Sequence, residues 1–220
     1  MSKLTDEIKM LKDEVVDMCE LTHSQLSKSL SSLLNFDKDL AHEVVMVEKR
    51  VNSAELKIDR DCEDIFALYS PVAVDLRFLL AVLKTNTNLE RIGDIAEGIA
   101  KLILDTENPY TQELLDSTKV VEMFGESLQM VEEIREAIDK EDVGIARGIF
   151  KRNVFLDHVN RNANTLLRNY LEKYPSDMEQ ALNVLSIIRK LERVGDHAEN
   201  IAEELIFFIE AKVVRHSKQK

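Results

Sequence analysis

Glu90-x-x-x-Asp94-x-x-Glu97 and Glu192-x-x-x-Asp196-x-x-Glu199 place the same three carboxylates at the same spacing, 102 residues apart. On a helix each residue advances roughly 100°. With Glu192 as zero, Asp196 falls near roughly 40°, Glu199 near −20° and Glu203 near 20°. These acids share one narrow ridge, while Leu191, Val194, Ala198, Ile201, Leu205 and Phe208 lie opposite. Like charges at i,i+4 cost about 0.2–0.5 kcal/mol per pair. A helix that needed only solubility would mix in Lys, so a doubled set of like charges points to a compensating cation. Where Glu203 stands in the second copy, the first has Lys101.

A further helix adds Glu55 and Asp59 at the same Glu-x-x-x-Asp spacing, flanked by Glu48, Asn52 and Glu63. Its counterpart in the second half is read as Asn153-Val-Phe-Leu-Asp157, which puts Asn153 opposite Glu55 and Asp157 opposite Asp59. Asn160 and Asn164 continue that ridge. Two ridges of oxygen donors on neighbouring antiparallel helices suit hard cations such as Mg, Ca, Mn or ferric iron. His197 would admit zinc or iron, but Ile95 takes its place in the first copy. An acidic ridge is also the ordinary solvated side of an amphipathic helix, so a metal-free scaffold and a carboxylate-bridged metalloenzyme both stay open at this point. Gly93 and Gly195 interrupt the two ridges, either for close helix approach or for open access to a cluster. Arg91 and Arg193 follow the first acid of each, as surface arginines or as contacts for anions or ligands.

The elements that must position these acids are helices. The chain has 220 residues, with 45% hydrophobic, 32% charged, 6 Gly, 3 Pro and no Trp. That profile suits long amphipathic helices and argues against an all-β fold. Six are predicted: 5–34, 38–69, 71–104, 112–139, 141–173 and 176–214. Asp37 reads as an N-cap, and Ser70-Pro71 as an N-cap followed by proline in the first turn. Residues 105–111 form the linker, which divides the chain into repeats 1–106 and 107–220. The expected fold is all-α, six long helices as two pseudo-symmetric antiparallel three-helix bundles.

Net charge is −12 and pI about 5.0. A surface of that sign repels phosphate backbones, so direct nucleic-acid binding is not expected. The basic 212–220 segment reads as a solvated tail. Cys19 and Cys62 read as core fillers in a reducing compartment, and no Cys-x-x-Cys zinc pair occurs. No signal-peptide pattern and no apolar run of membrane-spanning length is present, so a cytoplasmic protein without membrane insertion is expected. Gly-rich phosphate loops, a Gly-x-Ser-x-Gly elbow and paired Glu-x-x-His motifs are absent.

The twelve-residue segment Leu89-Glu-Arg-Ile-Gly-Asp-Ile-Ala-Glu-Gly-Ile-Ala100 returns as Leu191-Glu-Arg-Val-Gly-Asp-His-Ala-Glu-Asn-Ile-Ala202 with nine identities. Together with Pro71-Val-Ala-Val-Asp-Leu-Arg77, these resemble the paired signatures of the PhoU family, bacterial regulators of phosphate transport. The resemblance implies a non-enzymatic adaptor. It implies multinuclear iron or zinc clusters held by Glu55, Asp59, Glu90, Asp94, Asp157, Glu192 and Asp196. Glu97, Asn153, Glu199, Asn200 and Glu203 are expected as supporting or additional ligands. It further implies partners in the ATPase subunit of the phosphate ABC transporter and in a phosphate-sensing histidine kinase, negative regulation when phosphate is plentiful, and a homodimer.

Overall fold

The computed structural model describes residues 3–214. In order, the helices are α1 Lys3–Asn35, α2 Lys38–Tyr69, α3 Ala73–Asp105, α4 Gln112–Thr118, α5 Val120–Lys140, α6 Val143–Leu171 and α7 Met178–Glu210, with a 3-10 turn at Pro175–Asp177 before the last. No strand occurs among the described residues.

Apolar side chains recur every three or four residues along each helix, which gives each one buried stripe. In α1 the stripe is Leu11, Val15, Met18, Cys19, Leu26 and Leu33, broken by Thr22, Gln25, Ser29 and Ser32. Thr22 and Ser29 donate to the carbonyls of Met18 and Gln25, so two of these buried hydroxyls carry no desolvation debt. Leu89 and Leu191, which open the two duplicated segments, are fully buried. Each such leucine contributes about 1.5–3 kcal/mol relative to exposure.

Helices α1, α2 and α3 form one bundle, and α5, α6 and α7 the other. The bundles pack side by side through α3 against α7 and α1 against α5. The result is two layers: α2, α3, α7 and α6 in one, with α1 and α5 beneath. The apolar core is continuous through both halves. Helices α3 and α7 run antiparallel. Phe78 meets Phe208 edge to face at 5.2 Å, Lys84 pairs with Glu204 at 3.0 Å, and Asn183 donates to Thr106 at 2.9 Å.

Three boundaries differ from the sequence reading. The single helix expected over 112–139 is broken at Lys119, which adopts a left-handed conformation (φ 59°). Thr118 folds its hydroxyl onto the Leu114 carbonyl, and the Lys119 N–H closes on Asp116. This satisfies the end of α4 locally and lets α5 start afresh. Ser70 is no N-cap: it is the left-handed C-cap of α2 (φ 47°), and α3 starts beyond Pro71 and Val72. The last helix ends at Glu210, where Ala211 is left-handed. Asp37 does cap α2, accepting from the Leu40 N–H at 2.9 Å. Cys19 and Cys62 are buried free thiols. Burial pushes both up, Cys62 to about 12, so neither is reactive. Of the basic tail, residues 215–220 lie outside the described residues.

Candidate functional site

The acids of both halves lie where a first-layer helix pair meets: α2 with α3, and α6 with α7. Asp157 from α6 and Glu192 and Asp196 from α7 converge, with one carboxylate oxygen of each within 4.8 Å of the others. No Lys or Arg among the described residues forms an ion pair with these three. Burial, followed by the Asp196 charge, holds both Asp157 and Glu192 above the usual carboxylate range. A hydrogen bond from Asn160 partly offsets this at Glu192.

Beneath the triad sits Asn153, buried, donating from Nδ2 to Glu199 at 2.6 Å and to Asp196 at 3.4 Å. It fits there because Gly195 carries no side chain. A Cβ on Gly195 would collide with Asn153 Oδ1 and Leu156. Close approach therefore explains this glycine.

In the first half, Glu55, Glu90 and Asp94 form the corresponding group. Burial raises Glu55, with further upward pressure from Asp59 and Asp94. Burial raises Glu90 too, reinforced by Asp94 and Glu55. Arg91 reaches both Glu90 and Asp94, at 3.6 and 3.5 Å. Asp59 is drawn aside: Asn86 donates to its Oδ1 at 2.8 Å and to the Glu55 carbonyl at 2.9 Å. Among the described residues, no first-half trio meets as closely as the second-half triad. Under this group Gln25 donates to the buried Glu48 at 2.9 Å, and both press on Gly93. Glu48 Oε1 and Gln25 Oε1 are left without a hydrogen-bond partner.

Those contacts correct the correspondence between α2 and α6. Gly93 faces Glu48 and Val51, whereas Gly195 faces Asn153 and Leu156. Asn153 is thus the counterpart of Glu48, not of Glu55. Burial agrees along both helices: Ala41, Val44, Ile58, Cys62 and Ile65 match Ala146, Ile149, Ala163, Leu167 and Tyr170. In this register Asp157 matches Asn52, Asn160 matches Glu55, and Asn164 matches Asp59. The sequence reading was off by seven residues. A seven-residue slip is nearly two whole turns, so it leaves every side chain on the same face, and periodicity cannot detect it. Each half therefore supplies three acids and one amide: Asn52, Glu55, Glu90 and Asp94, and Asp157, Asn160, Glu192 and Asp196. The amide and the acid of the α2/α6 side have exchanged places by one turn.

The other expected residues take other roles. Glu97 pairs with Lys101 at 2.6 Å, and Glu199 accepts from Asn153. Asn200 is exposed. Glu203 lines a separate recess with Lys84, Glu204 and Phe207. His197 turns Nδ1 to Asn88 on α3 at 2.9 Å, bridging α7 to α3. Burial, then Arg193, holds its imidazole below the usual histidine range. Asn86 and Gln25 were not anticipated. For Gln25 the signal was there: a polar residue interrupting the apolar stripe of α1.

The PhoU domain matches this chain twice, over residues 15–103 and 120–205. The chain is 31% identical over 211 residues to the phosphate-specific transport system accessory protein PhoU of Edwardsiella tarda, covering 96% of this chain and 86% of that protein. It is 31% identical over 202 residues to PhoU homolog 1 of Thermotoga maritima, covering 91% and 86%. The crystal structure of PhoU from Pseudomonas aeruginosa superposes with a TM-score of 0.86 at 28% identity, over 96% of this chain and all of that one. The structure of the phosphate transport system regulatory protein PhoU from Streptococcus pneumoniae gives 0.84 at 26%, over 96% and 99%. Two matched domains, relatives of this identity and the superposed folds agree: the chain belongs to the PhoU family.

Proposed function

We propose that this chain is an accessory regulator of phosphate transport whose acidic clusters bind metal. In this reading it is a cytoplasmic, homodimeric adaptor between the ATPase subunit of the phosphate ABC transporter and a phosphate-sensing histidine kinase, and it holds the starvation response off when phosphate is plentiful. The names of its relatives support the transport role. Among the described residues no helix is long and apolar enough to cross a membrane, which accords with an accessory rather than a channel-forming part.

The observation that carries metal binding is the Asp157–Glu192–Asp196 triad, three converging carboxylates with which no Lys or Arg among the described residues forms an ion pair. Such an arrangement is costly unless a positive ion compensates it. The donor set fits a hard cation: ferric iron, Mn, Mg or Ca by chemistry alone, with iron or zinc as the family expectation. Glu192, Asp196 and Asp157 would hold the ion in one half, with Asn160 alongside. Glu55, Glu90 and Asp94 would do so in the other, with Asp59 one turn away. A bound cation would draw each triad together and fix α6 on α7 and α2 on α3.

Elemental analysis of protein purified without chelators tests the metal. Stoichiometric iron, zinc or manganese that is lost in Asp94→Asn with Asp196→Asn supports it, and a metal-free protein with an unchanged Tm on metal addition sinks it. Deleting the gene and following phosphate-responsive expression at high phosphate tests the regulatory role.

A further inference from the structure

Val72, Leu76 and Leu80 are exposed by 71, 37 and 38%, and so are Tyr174, Met178 and Leu182 by 38, 50 and 55%. The second trio stands at the duplication offset of 102 from the first, residue for residue. Six large apolar side chains in solvent at matching places in two repeats are not scattered surface leucines. Leu76 and Leu80 lie in the first turns of α3 with Val72 just ahead of it, and Met178 and Leu182 in the first turns of α7 with Tyr174 ahead of the 3-10 turn; the four helical residues are on the same side as the acids. Leu76 and Asp94 are separated by five whole turns, as are Met178 and Asp196. Each outer face therefore runs from apolar to acidic along one line, over about 27 Å.

We propose that these are two equivalent docking faces, each for an amphipathic helix of another protein that is apolar over two to three turns and carries Lys or Arg beyond them. This deepens the adaptor reading by naming its surface and the chemistry of its partner. Charge sets the partner's sign. The chain carries −12, and one divalent ion in each cluster would still leave it strongly anionic. Helix-in-groove recognition uses this pattern of apolar anchors at helical spacing with a charged flank.

Two other occupants fit less well. Since α3 and α7 are antiparallel, the trios lie at opposite ends of the pair. A second copy would carry the same charge of −12, so two such faces repel each other. An anionic lipid surface repels a chain of this charge.

The test titrates the full chain with a synthetic helix of about 20 residues, leucines on one face and lysines at one end. A scrambled peptide of the same composition and a counterpart with glutamates for lysines serve as controls. We expect two peptides per chain, chemical-shift changes in the methyl groups of Leu76, Leu80, Met178 and Leu182, and weakening of at least about tenfold in Leu80→Lys with Leu182→Lys. Binding of the scrambled peptide at equal strength, or shifts located elsewhere on wild-type protein, overturns the proposal. So does a dimer that dissociates in the double variant, or binding to anionic vesicles that the variant abolishes. The methyl shifts need no variant, so misfolding cannot mask the answer. Metal content and the deletion phenotype are read separately, so failure here leaves the accessory role standing.

Discussion

Asn153 Oδ1 occupies the space that a Cβ on Gly195 would need. This one relationship fixes the helix register beneath the second acidic cluster and explains why a helix-weakening residue sits at its centre.

It also yields a graded series. In Gly195→Ala the gain in helix propensity, about 1 kcal/mol, is outweighed by overpacking of about 1–3 kcal/mol as Asn153 is driven off Asp196 and Glu199. Gly93→Ala meets Gln25, Val51 and Glu48 at 3.0–3.2 Å and should lose less. Gly125→Ala meets nothing within 4 Å and should gain about 0.5–1 kcal/mol. Urea unfolding of the three variants checks the order.

Glu48→Gln should stabilise the protein at neutral pH by about 1 kcal/mol. Burial raises the Glu48 carboxyl, the Gln25 bond partly opposes this, and Asp94, Glu97 and Glu90 add to the rise. A buried carboxylate with one oxygen unpartnered is thereby replaced by a neutral amide. The gain should vanish below the carboxyl's raised value, where the wild type is itself neutral. Tm measured against pH for both proteins decides this.

The metal-free protein should gain stability on mild acidification. Asp157, Glu192, Glu55 and Glu90 are all held above their ordinary values, chiefly by burial. Raised carboxylates bind protons more tightly folded than unfolded, so stability is highest below the unfolded value and falls as pH rises through the folded one. Saturating Mn²⁺ should flatten that slope, since the ion replaces the proton. Identical slopes with and without metal would count against cation binding.

Asp196→Asn should raise the Tm of metal-free protein slightly, by relief of like-charge repulsion of a few tenths to about 1 kcal/mol. The same change should remove the second cluster's share of metal-induced stabilisation, which for one site at 100-fold excess over Kd amounts to about 2.7 kcal/mol. Thermal melts with and without added metal separate the two effects.

The corrected register makes its own prediction. Asn52→Asp should complete a four-acid set with Glu55, Glu90 and Asp94 and tighten Mn²⁺ binding in the first half, by about tenfold. Under the seven-residue-shifted pairing, position 52 has no counterpart in the second cluster and the change should be neutral. Isothermal titration distinguishes these.

The helices and their amphipathic faces were legible in the sequence because apolar spacing records which side is buried, as the α1 stripe from Leu11 to Leu33 shows. The α3 and α7 acids were legible because the duplicated segment fixes its own alignment. The α2–α6 correspondence was not, since Asn153 and Asn160 lie on one face a heptad apart and only packing against Gly195 tells them apart. The break at Lys119 was equally hidden: one left-handed residue whose N–H closes on Asp116 leaves no trace in periodicity. Side-by-side packing of the bundles depends on tertiary pairs such as Asn88 with His197, for which no pattern exists in either strand of text alone.

The seam between α3 and α7 buries Phe78 on Phe208 and carries polar ties along its length. Severed at the 105–111 connection, each fragment would bare an oily flank that water cannot tolerate. An unduplicated ancestor of half this length could have hidden that flank only against its own twin, with a true rotation axis where the approximate one now runs. Joined in one chain, the two sides need not match: His197 faces Asn88, where the first copy has Ile95.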